Sequence, residues 1–140
     1  MTRRWVLWST VLLAGCDPHP SAPRQTAGGD ASAGAAVFRR CAACHTISSS
    51  GSDTDGPNLY GVVGAPVAER RPRFAYTAAL QGFGGVWDRK RLDAWLANPR
   101  RLVPGTAMTF AGLPNPKDRA DVIAYLAANG PDQGTTVVNR

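Results

Sequence analysis

Two of the chain's three cysteines and one of its two histidines stand within five positions, in the run CAACH at 41–45. Two thiols three residues apart, with an imidazole directly after the second, admit three chemistries. A structural zinc ion takes four ligands, and apart from His19 the chain has no second Cys/His pair to complete such a set. A dithiol redox pair belongs in a βαβ setting, and the sequence carries no such pattern. The third chemistry is covalent attachment of haem. Each thiol adds to a vinyl group, a short helical turn sets the two sulfurs at the separation of the vinyls, and the next side chain points at the macrocycle centre. Cys-x-x-Cys-His is the signature of that attachment, and it is the chemistry that Cys41, Cys44 and His45 favour.

The third cysteine, Cys16, closes the run LLAGC. Ahead of it, two arginines precede an apolar stretch too short to span a bilayer, which takes roughly 20 apolar residues, but suited to the core of an export signal. Leu13, Ala14, Gly15 and Cys16 resemble the lipobox of bacterial lipoproteins. That resemblance implies cleavage before Cys16 and lipidation of its sulfur. Several acyl chains, each buried CH₂ contributing about 0.8 kcal/mol, make a stable anchor. The expectation is an exported protein on the periplasmic side of a bacterial membrane, with no thiol left over for a disulfide.

The chain then divides into a signal over 1–15, a lipid-anchored flexible linker over 16–29, a folded domain over 30–130 and a tail over 131–140. The linker is rich in Pro, Ser, Gly and Thr without an apolar period, and such a segment has a root-mean-square reach of roughly 20 Å. His19 lies in it and reads as a solvated histidine. With 140 residues, one domain is the natural content.

Within the domain, Asp30 is a good N-cap for a helix running through ASAGAAVFRRCAAC, which carries the cysteine pair at its end. A long Gly/Ser/Asp/Pro stretch follows and reads as a loop, of a length that suits wrapping something functional. Short helices are predicted over 74–80 and 88–97, the second capped by Asp88, with Leu92, Trp95 and Leu96 on one face and Asn98-Pro99 as its stop. Residues 98–115 read as a second loop. The last helix is the clearest: Asn115 caps it, Pro116 takes the first position, Val122, Ile123, Tyr125 and Leu126 form its apolar stripe, and Asn129-Gly130-Pro131 ends it. No strand pattern and no internal repeat are present.

The formal charge is +6, from 16 basic and 10 acidic residues. The basic residues are spread from end to end in pairs and triplets, unlike the clustered, aromatic-interleaved arrangement of nucleic-acid readers. A nucleic-acid partner is not expected.

From about Ala33 to Ala127 the chain resembles the class I c-type cytochromes, in the bacterial group close to mitochondrial cytochrome c. The matching segments are GAAVFRRCAACHT, GPNLYGVVG, FAYTAAL, VWDRKRLDAWLANPRRLVPGTAMTF and RADVIAYL, in that order. The resemblance implies an all-α class I cytochrome c fold: three main helices, with short helices and long loops, wrapped around one covalently bound haem. Gly34 and Phe38 would meet the stripe from Val122 to Leu126 where the first and last helices cross. Met108 corresponds to the sixth iron ligand opposite His45, and Met/His ligation raises the reduction potential. Pro57 corresponds to the carbonyl that accepts the His45 Nδ1 proton. Tyr76 and Trp87 correspond to residues that hydrogen-bond the inner propionate, and Thr106 similarly bonds a propionate.

Departures from the pattern accompany these matches. An arginine common beside a propionate is Ala65 here, leaving Arg70, Arg71 or Arg73 as possible substitutes. Trp95 stands where many relatives have a tyrosine that bonds the methionine sulfur; an indole N–H can donate but not accept. Ala107 replaces a lysine, and SSSGSDTD lengthens the loop after the histidine.

With both axial positions filled by protein, the implied function is single-electron transfer rather than catalysis. A lipid-tethered monomer would carry electrons between quinol:cytochrome c reductase or another dehydrogenase and a terminal oxidase or reductase. Arg39, Arg40, Arg100 and Arg101 would steer acidic partners. Two other functions compete: a haem enzyme or gas-reactive protein with an open sixth site, and a fixed electron-entry subunit of an oxidoreductase complex.

Overall fold

The computed structural model describes residues 28–131. The signal read over 1–15, Cys16 and its lipid, His19, the linker up to residue 27 and the tail from 132 lie outside the described residues.

Helix α1 spans Ala31–Phe38. It opens on Asp30, whose carboxylate accepts the N–H groups of Ser32 and Ala33 at 2.8 and 3.3 Å, satisfying donors that the first turn otherwise leaves unpaired. The helix is shorter than the sequence predicts. After Phe38 the N–H groups of Arg40 and Cys41 reach back only three residues, to the Val37 and Phe38 carbonyls at 3.1 and 2.7 Å. Such closures wind more tightly than an α-helix and do not extend far, so the cysteine pair sits in turns and not in the helix.

Helix α2 covers Ala78–Phe83 rather than 74–80. The Thr77 hydroxyl accepts the Leu80 N–H at 3.3 Å and so caps the later start, while the preceding segment is held in turns by bonds from Phe74 N–H to the Arg71 carbonyl and from Tyr76 N–H to the Phe74 carbonyl. Helix α3, Arg89–Ala97, begins as expected on Asp88, which accepts the Arg91 N–H at 2.7 Å. Asn98 ends α3 and also caps a further short helix, α4 (Pro99–Leu102), by accepting the Arg101 N–H at 3.0 Å. This helix falls in the stretch read as loop: Pro99 halts the first helix yet is well placed at the first position of the next, where no N–H is needed. Helix α5, Pro116–Ala128, follows its Asn115 cap. Among the described residues there is no strand, only an isolated antiparallel bridge between Pro66 and Val86.

Helices α1 and α5 cross closely, α3 packs along α5, and α4 lies beside α3. Gly34 is buried at the crossing, and the Phe38 ring lies 5.3 Å from that of Tyr125. One cluster of buried side chains joins these helices: Phe38 from α1, Leu92, Trp95 and Leu96 from α3, Val122, Ile123 and Leu126 from α5, with Trp87 and Leu113 from the loops. Asp121 is buried beside them, and the sequence reading did not anticipate it. No helix among the described residues is long and apolar enough to cross a membrane.

Candidate functional site

The turn after α1 places the CAACH residues. The N–H groups of Cys44 and His45 both donate to the Cys41 carbonyl at 3.0 Å, closing one turn between the two thiols. Cys41 is half-buried, Cys44 is exposed, and both are free thiols. Burial pushes the Cys41 thiol up, opposed by the charge of Arg40 and assisted by Cys44.

His45 Nδ1 lies 2.7 Å from the Pro57 carbonyl oxygen. A carbonyl only accepts, so Nδ1 carries the proton and Nε2 is left with its lone pair. Burial favours the neutral ring and holds the imidazole below its usual pKa, against the Pro57 bond, which acts in the opposite direction. The ring packs directly on backbone at Gly56, where a Cβ would stand 2.3 Å from His45 Cε1. Only glycine fits there.

The loop that presents Pro57 is knitted rather than slack. Asn58 is 4% exposed. Its amide donates to Thr46 Oγ1 at 2.7 Å and to the Ser48 carbonyl at 3.0 Å, and its side-chain oxygen accepts the Tyr60 N–H at 2.9 Å. The Gly56 N–H and the Thr54 hydroxyl both donate to the Cys44 carbonyl, at 2.7 and 2.6 Å. In the sequence Asn58 lies within GPNLYGVVG without an assigned role. A polar residue in a Gly/Pro loop resembles solvated surface until its partners are known.

Met108 is half-buried and packs against the same core cluster as Cys41, a cluster that includes Trp87 and Trp95. Its N–H donates to the Thr106 hydroxyl at 3.2 Å, so Thr106 shapes the Met108 loop while keeping its own hydroxyl proton to donate. Trp87 and Trp95 are 7% and 8% exposed, with ring centroids 5.3 Å apart. Neither indole N–H bonds another described residue, and since no side-chain donor among these residues is both buried and unpartnered, both N–H groups stay accessible. Tyr76 is half-buried, and burial raises its phenol pKa against a backbone hydrogen bond from Arg71.

Ala65 is buried. Of the three arginines that could replace its missing charge, two are engaged elsewhere: Arg70 Nε donates to the Tyr60 carbonyl at 2.6 Å, and Arg71 Nε pairs with Asp53 at 2.7 Å. Arg73 has no side-chain bond among the described residues.

This donor set is wrong for zinc, because among the described residues no three His, Cys, Asp or Glu side chains gather to hold a metal ion. It fits haem c. Two unpaired thiols flank one turn, an imidazole keeps Nε2 open, two core indoles keep accessible N–H groups, and Leu59, Leu80, Met108 and Phe110 remain only partly covered against the core. The sequence profile of the family described as Cytochrome c matches residues 31–129.

The chain belongs to the cytochrome c family. A cytochrome c homolog from Bradyrhizobium diazoefficiens is 52% identical over 93 residues, covering 66% of this chain and 50% of that protein, so the chain spans about half of that relative's length. Cytochrome c2 from Rhodomicrobium vannielii is 46% identical over 101 residues, covering 72% of this chain and 80% of its own. Among solved structures, cytochrome cH from Methylobacterium extorquens superposes with a TM-score of 0.66 at 45% identity, over 71% of this chain and 99% of that one. Membership in the cytochrome c family, in its class I fold, brings one covalently bound haem c with its iron and the role of a single-electron carrier.

Proposed function

We propose that this cytochrome c is a membrane-tethered carrier in which Cys41 and Cys44 would bear the thioether links, His45 and Met108 would ligate the haem iron, and Cys16 carries the lipid. The haem supplies a centre that takes up and releases one electron; the chain's residues tune and enclose it. The observation that carries this reading is the 2.7 Å bond between His45 Nδ1 and the Pro57 carbonyl. It fixes the ring, makes Nε2 the only available nitrogen and raises its basicity as a ligand. Met108 contributes a soft thioether, which favours the reduced state and a higher potential. With both positions taken by side chains, no coordination site is left for a substrate, and the chemistry is electron transfer without bond making or breaking.

Tyr76, Trp87 and Thr106 serve as donors to the propionates, and Trp95 donates to the Met108 sulfur. The indole N–H groups support these roles, because they bond no other described residue and stay accessible as donors.

The lipid on Cys16 and the linker keep the domain at high effective concentration beside membrane complexes on the periplasmic side. Quinol:cytochrome c reductase or another dehydrogenase is the donor, and a terminal oxidase or reductase the acceptor. The carrier acts as a monomer. The test is chemical analysis of the full chain made in a host competent for cytochrome maturation. A pyridine haemochrome spectrum of two-thioether haem, a haem-bearing peptide containing Cys41 and Cys44, and acyl mass on Cys16 are expected. A colourless product would overturn the proposal, and a pigmented one without acyl mass would remove the tether.

A further inference from the structure

Asp53 lies in the SSSGSDTD stretch that lengthens the loop after His45, and its carboxylate joins two segments distant in sequence. Oδ1 accepts the Asn58 N–H at 2.8 Å and the Arg71 Nε–H at 2.7 Å. Arg71 adds a second, longer bond, from Nη2 to the Gly51 carbonyl at 3.4 Å. The first partner, Asn58, directly follows Pro57, whose carbonyl holds the His45 ring. The second partner opens a turn that ends on Tyr76. In it the Phe74 N–H donates to the Arg71 carbonyl at 2.9 Å and the Tyr76 N–H to the Phe74 carbonyl at 3.0 Å.

Against the upward push of burial, the Asn58 N–H and the Arg71 guanidinium hold the Asp53 carboxyl below its usual range. Burial raises the Tyr76 phenol, a backbone hydrogen bond from Arg71 opposes it, and the charges of Asp53 and Arg71 act on it in opposite directions. The two side chains are 31% and 22% exposed for Arg71 and Asp53. An ion pair open to solvent to that degree adds little to global stability; its effect is on where the connected segments sit.

We propose that the Asp53–Arg71 pair is a positioning clasp for Tyr76, locking the 71–76 turn to the loop that carries Pro57 and closing that flank of the haem site to water. The clasp rests on the haem reading above and assigns its own residues a task within it. Opening it admits water beside the haem, which favours the more highly charged oxidised state and lowers the potential. It also loosens the burial that raises the Tyr76 phenol.

The test uses the full-length, haem-loaded chain with Asp53→Asn and Arg71→Gln. Asparagine preserves size and an acceptor for the Asn58 N–H while removing the charge that holds Arg71. Two readouts are taken: the midpoint potential, and the phenol ionisation that disappears from the ultraviolet pH titration in a Tyr76→Phe background. Both are expected to shift downward in both variants. For each variant one readout separates a clasp from a through-space charge. Charge alone would raise the potential of Asp53→Asn and raise the phenol midpoint of Arg71→Gln. Either of those results, or no movement in either readout, would overturn the clasp. A colourless wild-type protein would instead count against the haem reading, and the phenol shift would still report on the clasp.

Discussion

Gly34 and Asp121 bring two helix backbones into direct contact: a Cβ on Gly34 would lie 2.0 Å from the Asp121 carbonyl oxygen and 2.8 Å from Tyr125 Cβ. Replacing glycine by alanine inside a helix ordinarily stabilises it by up to about 1 kcal/mol. Here the sign reverses, because the obstruction includes backbone that cannot move without separating α1 from α5. Gly34→Ala is predicted to destabilise by about 1–3 kcal/mol through overpacking, seen as a lower denaturant midpoint with unchanged slope. A midpoint at or above wild type would show that the crossing tolerates a side chain.

The same contact is tied by the Asp121 side chain. One carboxylate oxygen accepts the Asp30 N–H at 2.8 Å, and the other pairs with the Lys117 ammonium at 2.5 Å. The Lys117 bond first, and then the Asp30 N–H, hold this carboxyl below its ordinary range. A carboxyl depressed in the folded state adds stability that is fully present above its unfolded pKa, about 3.9, and is lost as pH falls through the folded value. Asp121→Asn is therefore predicted to lower stability by about 1–3 kcal/mol at neutral pH, with the gap from wild type narrowing below about pH 4. Denaturation at several pH values checks it; a gap that persists unchanged into acid contradicts the linkage.

Asn58 is satisfied on every side chain–facing bond named above, so truncation leaves Thr46, Ser48 and Tyr60 without their partner. Asn58→Ala is predicted to cost about 1–3 kcal/mol and to loosen the Pro57 carbonyl against His45. The variant should show both a lower thermal midpoint and a shifted reduction potential. Loss of stability with an unmoved potential would confine Asn58 to a structural role.

How far these features were legible depends on the kind of signal each residue sends. Asp88 and Asn115 cap helices through bonds three and two residues away, and Pro116 fits the first helical position where no N–H is needed, so α3 and α5 begin where local pattern places them. The end of α1 was not legible, because an alanine-rich run favours helix whereas the turns after Phe38 depend on how the chain packs onward. Helix α4 was hidden since Asn98-Pro99 serves as both stop and start. Cys41, Cys44 and His45 stood out because covalent chemistry demands fixed spacing. Asp53, Asn58 and Asp121 did not, since each acts through partners that only the folded chain brings together.

Arg39, Arg40, Arg100 and Arg101 are exposed, and none forms an ion pair among the described residues. Charges of this kind accelerate encounter with an acidic partner by roughly tenfold or more at low salt and are screened over about 8 Å at physiological ionic strength. Electron exchange with the partner complex is predicted to slow as salt is raised, and Arg100→Gln/Arg101→Gln to slow it at low salt and flatten the dependence. A salt-independent rate would remove the steering role.

The proposed ligation of iron by both His45 and Met108 is tested most directly by adding carbon monoxide to the reduced protein and to its Met108→Ala variant while recording the visible spectrum. If His45 and Met108 both ligate iron as proposed, the wild-type spectrum should stay unchanged, whereas the variant should bind the gas and lose the long-wavelength band of ferric thioether ligation. A wild-type protein that binds carbon monoxide as readily as the variant, with no such band when oxidised, would place Met108 off the iron and contradict the electron-carrier assignment.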